Sequence, residues 1–337
     1  MEKRICMIYT GGTIGMVPSK NGYVPSSQFF TDILHKIPEL QHPDMPQWDV
    51  VEFSPLLDSS NIAVHEWNEI GRTIAERYDQ YDGFVVLHGT DTMAYSASAV
   101  SFMLENLNKP VIFTGAQIPL CQASSDGRDN IVRSLLIAAC DQIHEVCIYF
   151  NEKLLRGNRC VKRSSDQLAA FETPNYPALA QIGIDLSLNR PVLLPPSGKP
   201  LHLRPFDEVP VGVIKVFPGI QFHLFESIMT ESLKGVVLEC YGAGNIPSTE
   251  KDSLLPIIQK AYSSGTIITV CSQCIQGAVS LGTYATSKAL QEIGAVNGRD
   301  MTTEAALTKL YYLFSLGLDK EDIKKQMTQD LRGEITP

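Results

Sequence analysis

The apolar positions of this chain fall in short, nearly unbroken runs rather than in strict alternation. Ile5 to Tyr9 is the first, and runs rich in Val, Ile and Phe recur at 48–53, 83–87, 110–114 and 145–150. Short unalternating runs of this kind read as parallel strands covered on both faces. Between them the apolar residues recur at helical spacing, near 64–79, 92–106 and 128–140. Strand and helix patterns in alternation predict βαβ units, and therefore a doubly wound, mostly parallel α/β sheet.

The pattern changes between 189 and 210. Pro191, Pro195, Pro196, Pro200 and Pro205 crowd this stretch, and proline denies a chain both the helix ladder and the sheet ladder. Alternation then resumes with strand patterns at 211–216, 235–239 and 266–270 and helix patterns at 221–232, 250–263, 302–315 and 319–329. The expectation is a large N-terminal domain over 1–188, a Pro-rich linker over 189–210 and a smaller C-terminal α/β domain over 211–337.

Composition narrows the partners. Of 337 residues, 44% are hydrophobic and 19% charged, enough apolar chain to fill a sizeable core. The formal charge of −9 argues against nucleic acid and anionic membrane surfaces as partners. No run approaches the roughly 18 apolar residues of a membrane span. The apolar run after Met1–Arg4 is short and shows no small-residue cleavage pattern, so no secretory signal is expected. Several of the eight cysteines (Cys6, Cys140, Cys147 and Cys240) lie in apolar runs, which fits reduced thiols in a cytoplasmic protein. Cys271 and Cys274 form a C-x-x-C that invites a redox or zinc reading, yet it lacks a second pair or spaced histidines. No metal and no cofactor are expected.

The chemistry gathers at strand ends. The first run breaks into Gly11-Gly12 and delivers Thr13 at its carboxyl end, where open α/β sheets bind their ligands. The run 83–87 ends in His88-Gly89-Thr90-Asp91-Thr92, again glycine and hydroxyls, now with a carboxylate. Two threonines on two strand ends suggest a hydrolase with a hydroxyl nucleophile, which needs a base to take its proton. Tyr23, Asp91 and a lysine are the candidates. Tyr23 lies in a segment, 15–30, whose glycines and prolines suit either a mobile lid or a surface loop. Asp91 suits either proton transfer or the N-cap of the helix beginning near Thr92. Lys162 follows the strand 145–150 and suits either a proton acceptor held against a carboxylate or a surface charge. Asp58, Ser59 and Ser60 follow the strand 48–53 and suit either the grip on an amino acid's ammonium and carboxylate or the N-cap of helix 64–79. The glycine-rich turns lack the G-x-G-x-x-G spacing and the P-loop lysine, which leaves nucleotide binding a weak alternative.

Tyr-Thr-Gly-Gly-Thr-Ile-Gly at 9–15, with Leu-His-Gly-Thr-Asp-Thr-Met at 87–93, resembles the paired signatures of the bacterial-type L-asparaginase family. Thr-Gly-Ala-Gln at 114–117, Ser-Asp-Gly at 125–127, Arg-Gly-Asn at 156–158 and Tyr-Gly-Ala-Gly-Asn at 241–245 extend the resemblance over nearly the whole chain. It is nearest to the cytoplasmic type I branch. The resemblance implies an amidohydrolase that converts L-asparagine and water to L-aspartate and ammonia through a covalent acyl-threonine. It makes Thr13 the primary nucleophile with Tyr23 beside it on a lid. Thr90, Asp91 and Lys162 become a proton relay, and Asp58, Ser59 and Ser60, with Thr90 and Asp91, the substrate-binding groups. It also implies a homodimer with sites completed across the interface, commonly doubled to a homotetramer. One departure stands out. Cytoplasmic relatives with a regulatory asparagine site use a threonine just before the lysine and an arginine two residues before the Tyr-Gly-x-Gly-Asn element, whereas this chain has Val161 and Glu239. Valine cannot hydrogen-bond and glutamate repels a carboxylate. Two rival readings remain: the ammonia-releasing subunit of a tRNA-dependent amidotransferase, and a non-catalytic amino-acid-binding sensor.

Overall fold

The unbroken apolar runs become the middle of an eight-stranded sheet in the computed structural model, which describes residues 2–20, 22–226, 229, 232–247 and 254–336. Across the sheet the strands are Leu186–Leu188, Ala180–Ile182, Lys153–Arg156, Val146–Phe150, Val111–Thr114, Gly83–Leu87, Arg4–Gly11 and Gln47–Leu57. The five from Val146–Phe150 to Gln47–Leu57 are parallel, and the three at the other edge are antiparallel. Both faces are covered, which is why the runs do not alternate. Cys6, Ile8, Phe84, Val86, Phe113 and Ile148 share one core with Ile70 and Ile74 of helix Val64–Arg77 and Ala97 and Val100 of helix Met93–Met103. Their neighbours Met7, Val85 and Ile112, pointing the other way, are equally buried. At about 1.5–3 kcal/mol for each large apolar side chain withdrawn from water, these layers dominate the stability of the unit.

Two compact units divide the chain: Met1–Thr173 with Pro177–Arg204, and Pro174–Tyr176 with Pro205–Pro337. The stretch expected as a linker therefore stays with the first unit as far as Arg204. His202–Leu203 pair antiparallel with Leu104–Glu105, and Leu201 and Leu203 pack on the core of that unit. Prolines forbid a long ladder, but two residues between them suffice for a short one. That pairing also ends the helix expected over 92–106 at Met103, where Arg204 N donates to Met103 O at 2.8 Å.

The second unit holds four parallel strands in sequence order, Val211–Lys215, Gly235–Cys240, Ile267–Ser272 and Val296–Asn297. Helices Thr303–Phe314 and Lys320–Met327 are capped by Thr302 and Asp319, whose side chains accept from Ala305 N and Asp322 N. Of the helix expected over 221–232, the described residues form a 3-10 turn at Phe222–Phe225, and 227, 228, 230 and 231 lie outside the described residues. The helix expected from 250 is described from Leu255 to Ser263; positions 250–253 lie outside the described residues. Helices Ser27–Leu34 and Ala285–Ile293 were not anticipated. Lys309 and Glu334 form a fully buried ion pair, and Lys309 also donates to Met327 O at 3.2 Å. The short excursion Pro174–Tyr176 is tied into this unit by Asn175, which donates to Gly277 O and Asp300 O and accepts from Gly277 N. All eight cysteines are free, with Cys271 buried and Cys274 exposed. Among the described residues no helix is long and apolar enough to cross a membrane, and no His, Cys, Asp and Glu cluster could hold a metal ion.

Candidate active site

Three turns meet at the carboxyl ends of the parallel strands. Gly12, after the strand Arg4–Gly11, donates to Leu57 O at 3.2 Å and holds φ +84° with ψ 177°. A Cβ on Gly12 would lie 2.4 Å from Gly89 N, so the two strand-end turns touch backbone to backbone. A Cβ on Gly89 would in turn lie 2.4 Å from Ser59 Oγ. Thr92 Oγ1 donates to Ser59 O at 2.7 Å, stitching the 58–60 turn to the same place. Only glycine permits these approaches, and they bring together the turns that carry Thr13, Ser59 and Thr90. Thr13 opens a 3-10 turn, Thr13–Gly15, is half-buried, and bonds through its hydroxyl to no other described residue.

Lys162 arrives from the far side of the site. It sits on the two-residue strand Val161–Lys162, paired with Phe171–Glu172, just after the 3-10 turn Gly157–Arg159. Its Nζ donates to Thr90 Oγ1 at 2.9 Å and to Asp91 Oδ1 at 2.6 Å. Thr90, itself buried, passes its own hydroxyl hydrogen to Gln117 Oε1 at 3.1 Å. Gln117 is held in turn, because its backbone N–H and that of Ile118 both point at the Asp126 carboxylate. Asp91 remains 64% exposed while Lys162 is 20% exposed, so the ion pair stands at an open surface and contributes little to stability. Its Coulombic attraction nevertheless fixes where the ammonium points. Asp91 does not cap a helix; the N-cap position before Met93–Met103 is Thr92, whose hydroxyl donates to Ser59 O and accepts from no N–H of the helix. Asp58 caps only the short 3-10 turn Ser59–Asn61, accepting from Ser60 N at 3.0 Å. The helix Val64–Arg77 is served instead by Glu66, which accepts from Ala63 N at 2.8 Å. Asp58 and Ser60 are exposed and Ser59 is buried.

Tyr23 belongs to a hairpin of Met16–Ser19 with Gly22–Pro25. It is 47% exposed, and its Oη accepts from Gln122 Nε2 at 2.6 Å. No hydrogen bond among the described residues joins Tyr23 to Thr13. The structure thus brings Thr90, Asp91 and Lys162 into one hydrogen-bonded group and engages Tyr23 with Gln122.

Three neighbours escaped the sequence reading as individual site residues. Gln117 and Gln122 are polar residues in loops, a type that carries no periodic signal. His88 precedes Gly89 and is fully buried; its Nδ1 bonds Gly89 O at 2.7 Å, which makes Nδ1 the protonated nitrogen. Burial pushes its imidazole down to about 4, against the opposing pull of the Gly89 carbonyl. His88 is therefore a neutral prop beneath the Gly89–Thr90 peptide near pH 7. In the second unit, Glu239 accepts from Thr303 Oγ1 at 2.7 Å, and its other carboxylate oxygen is 4.0 Å from Lys215 Nζ.

Residues 4–193 match the family model described as Asparaginase, N-terminal, and residues 210–327 match the Glutaminase/Asparaginase C-terminal domain. L-asparaginase 1 of Escherichia coli is 45% identical over 337 residues, a match that covers 100% of this chain and 99% of that protein. The crystal structure of L-asparaginase I from Vibrio cholerae superposes with a TM-score of 0.92 at 41% identity, covering 100% of both chains. The thermostable L-asparaginase from Thermococcus kodakarensis superposes with a TM-score of 0.90 at 31% identity, covering 99% of each.

Proposed function

The chain belongs to the L-asparaginase family, and from that premise we propose that it hydrolyses L-asparagine to L-aspartate and ammonia through a covalent acyl-threonine on Thr13. Thr13 Oγ adds to the side-chain amide carbonyl, the C–N bond breaks, and the hydroxyl proton leaves on the departing nitrogen as ammonia. Water then adds to the ester carbonyl, the bond to Thr13 Oγ breaks, and a water proton returns to that oxygen. Each addition needs a proton taken from a weak acid and returned within the same turnover.

Thr90, Asp91 and Lys162 are the proton relay in this reading. The observation that carries it is the single ammonium nitrogen of Lys162, bonded at once to Thr90 Oγ1 at 2.9 Å and Asp91 Oδ1 at 2.6 Å. A proton arriving at Thr90 Oγ1 passes to Lys162 once Lys162 has released its own to Asp91, and the path runs backward to protonate the leaving group. Tyr23, on the hairpin after the nucleophile, orients the Thr13 hydroxyl. The exposed carboxylates of Asp58 and Asp91 attract the substrate ammonium, and Ser59 and Ser60 with Thr90 hold its carboxylate. Backbone N–H groups of the two glycine turns stabilise the oxyanion. No metal or cofactor enters the scheme. The free cysteines support a cytoplasmic setting, and family kinship supports a homodimer or homotetramer, which light scattering after gel filtration measures directly.

The test is ammonia release from L-asparagine and, separately, L-glutamine over a wide concentration range, for the unaltered protein and for Thr13→Ala and Thr90→Val. Loss of turnover in both variants, with circular dichroism unchanged, is the expected result. Near-normal turnover in both overturns the mechanism. Asparagine binding without any ammonia favours the sensor reading instead.

A further inference from the structure

We propose that Gln122 is a positioning residue for the reaction, acting through Tyr23. The inference rests on the reading that Tyr23 serves Thr13, and it concerns what holds Tyr23 in place. Three consecutive residues grip successive points of the segment that carries the nucleophile and the hairpin. Leu120 N donates to Ile14 O at 3.1 Å, Cys121 Sγ to Met16 O at 3.5 Å, and Gln122 Nε2 to Tyr23 Oη at 2.6 Å. The first two contacts use backbone carbonyls and set only the path of the chain. The third fixes a side-chain oxygen.

The loop that makes these contacts is itself well tied. Gln122 N donates to Pro119 O at 2.9 Å, Ser125 N to Gln122 O at 3.2 Å, and Ser125 Oγ to Ile118 O at 2.7 Å. The Asp126 carboxylate gathers the N–H groups of Gln117 and Ile118. The same loop holds Gln117 against the Thr90 hydroxyl. One short segment therefore contacts both hydroxyl groups, that of Tyr23 on the hairpin and that of Thr90 beside Lys162.

The chemistry of the amide gives the contact a direction. Nε2 of glutamine has only hydrogens to offer, and filling one lone pair of Oη leaves the phenol proton free for a second acceptor. Gln122 thus leaves Tyr23 able to donate its own proton and restrains where the half-exposed ring sits. Because both groups reach water, the contact is a modest one, and its loss costs about threefold to tenfold in rate.

The test is a double-mutant cycle in the whole protein, with kcat and KM for L-asparagine measured on Gln122→Ala, Tyr23→Phe and the pair. Gln122→Ala is expected to lower kcat about threefold to tenfold with KM little changed, and the pair is expected to match Tyr23→Phe alone to within about twofold. A loop that merely braced the fold would add its own loss to that of Tyr23→Phe. Full additivity, or an unaffected Gln122→Ala beside an impaired Tyr23→Phe, overturns the inference and leaves the role of Tyr23 standing. Full turnover in Tyr23→Phe removes the role of Tyr23, and the inference falls with it whatever Gln122→Ala does.

Discussion

Replacing Gly12 by alanine tests whether the contact between the two strand-end turns sets the reaction geometry. The new methyl carbon would stand 2.4 Å from Gly89 N and 2.5 Å from Gly89 Cα, both backbone atoms that no rotamer change can move. Ordinary contact for such a carbon begins near 3.4 Å, so the turns must part by about 1 Å. Gly12 also occupies φ +84°, ψ 177°, a region essentially reserved for glycine, where a side chain costs about 1–3 kcal/mol. The displacement falls between Thr13 and Thr90, one residue beyond each glycine. A misplacement of about 1 Å in a reacting constellation costs on the order of 100-fold in rate. Gly12→Ala is therefore expected to lose about 100-fold in kcat and about 1–3 kcal/mol in stability, read by ammonia release and urea unfolding. Gly198→Ala is the control, since Gly198 has φ +67° but nothing within 4 Å of its missing Cβ. It should lose some stability and keep its turnover. If Gly12→Ala holds kcat to within about threefold, the close approach of the turns does not govern catalysis and the geometric argument fails.

Lys162→Met should lower kcat by about 10²–10⁴-fold, as expected for a lost proton-transfer group, while urea unfolding moves by less than about 1 kcal/mol because its partner Asp91 faces solvent. A stability loss as large as the rate loss would assign Lys162 to the scaffold. His88 makes folding sensitive to acid: its imidazole titrates at about 4 when folded and near 6.5 when unfolded. Its contribution is complete above about pH 6.5 and drains away as pH falls toward 4, about 3 kcal/mol in all. Urea titrations at pH 7 and pH 4.5 should show a smaller loss for His88→Asn than for the unaltered protein, and parallel losses would contradict the assignment. With Val161 beside the lysine and Glu239 anchored to Thr303, asparagine kinetics should be hyperbolic; sigmoidal curves abolished by changes at these two positions would show a surviving regulatory site. Glu334→Gln leaves the ammonium of Lys309 buried opposite a neutral group and should cost about 3–5 kcal/mol, whereas a change under about 1 kcal/mol would mean that Lys309 is neutral in the folded protein.

The central strands were legible because their apolar runs are long enough to fill the interior from both sides, as Ile5 to Tyr9 does. Thr90 and Asp91 were legible for the same reason, since a run that ends in glycine and hydroxyls marks a strand end. Lys162 was visible as a residue type at a strand's end, but its bonds to Thr90 and Asp91 cross some seventy positions that no local pattern spans. Ser27–Leu34 was hidden inside a stretch whose glycines and prolines spoke for a loop. The pairing of His202–Leu203 with Leu104–Glu105 was hidden by the prolines around it. Gln117 meets Thr90, and Gln122 meets Tyr23, through one hydrogen bond each, and nothing in their neighbours' hydropathy distinguishes them from other loop amides.

The excursion at Pro174–Tyr176 bears on how this chain can be recombined. A crossover placed after Arg204 would look natural, because the second unit resumes there with its own parallel sheet. Such a chimera would nevertheless take residue 175 from one parent and the loops at Gly277 and Asp300 from the other. The three hydrogen bonds of Asn175 demand an amide side chain that meets those backbone groups. The two units are thus not interchangeable cassettes. A successful exchange of the second unit must carry the tripeptide with it as a separate graft, and natural shuffling, which moves contiguous stretches, would keep the two parts of such a chain inherited together.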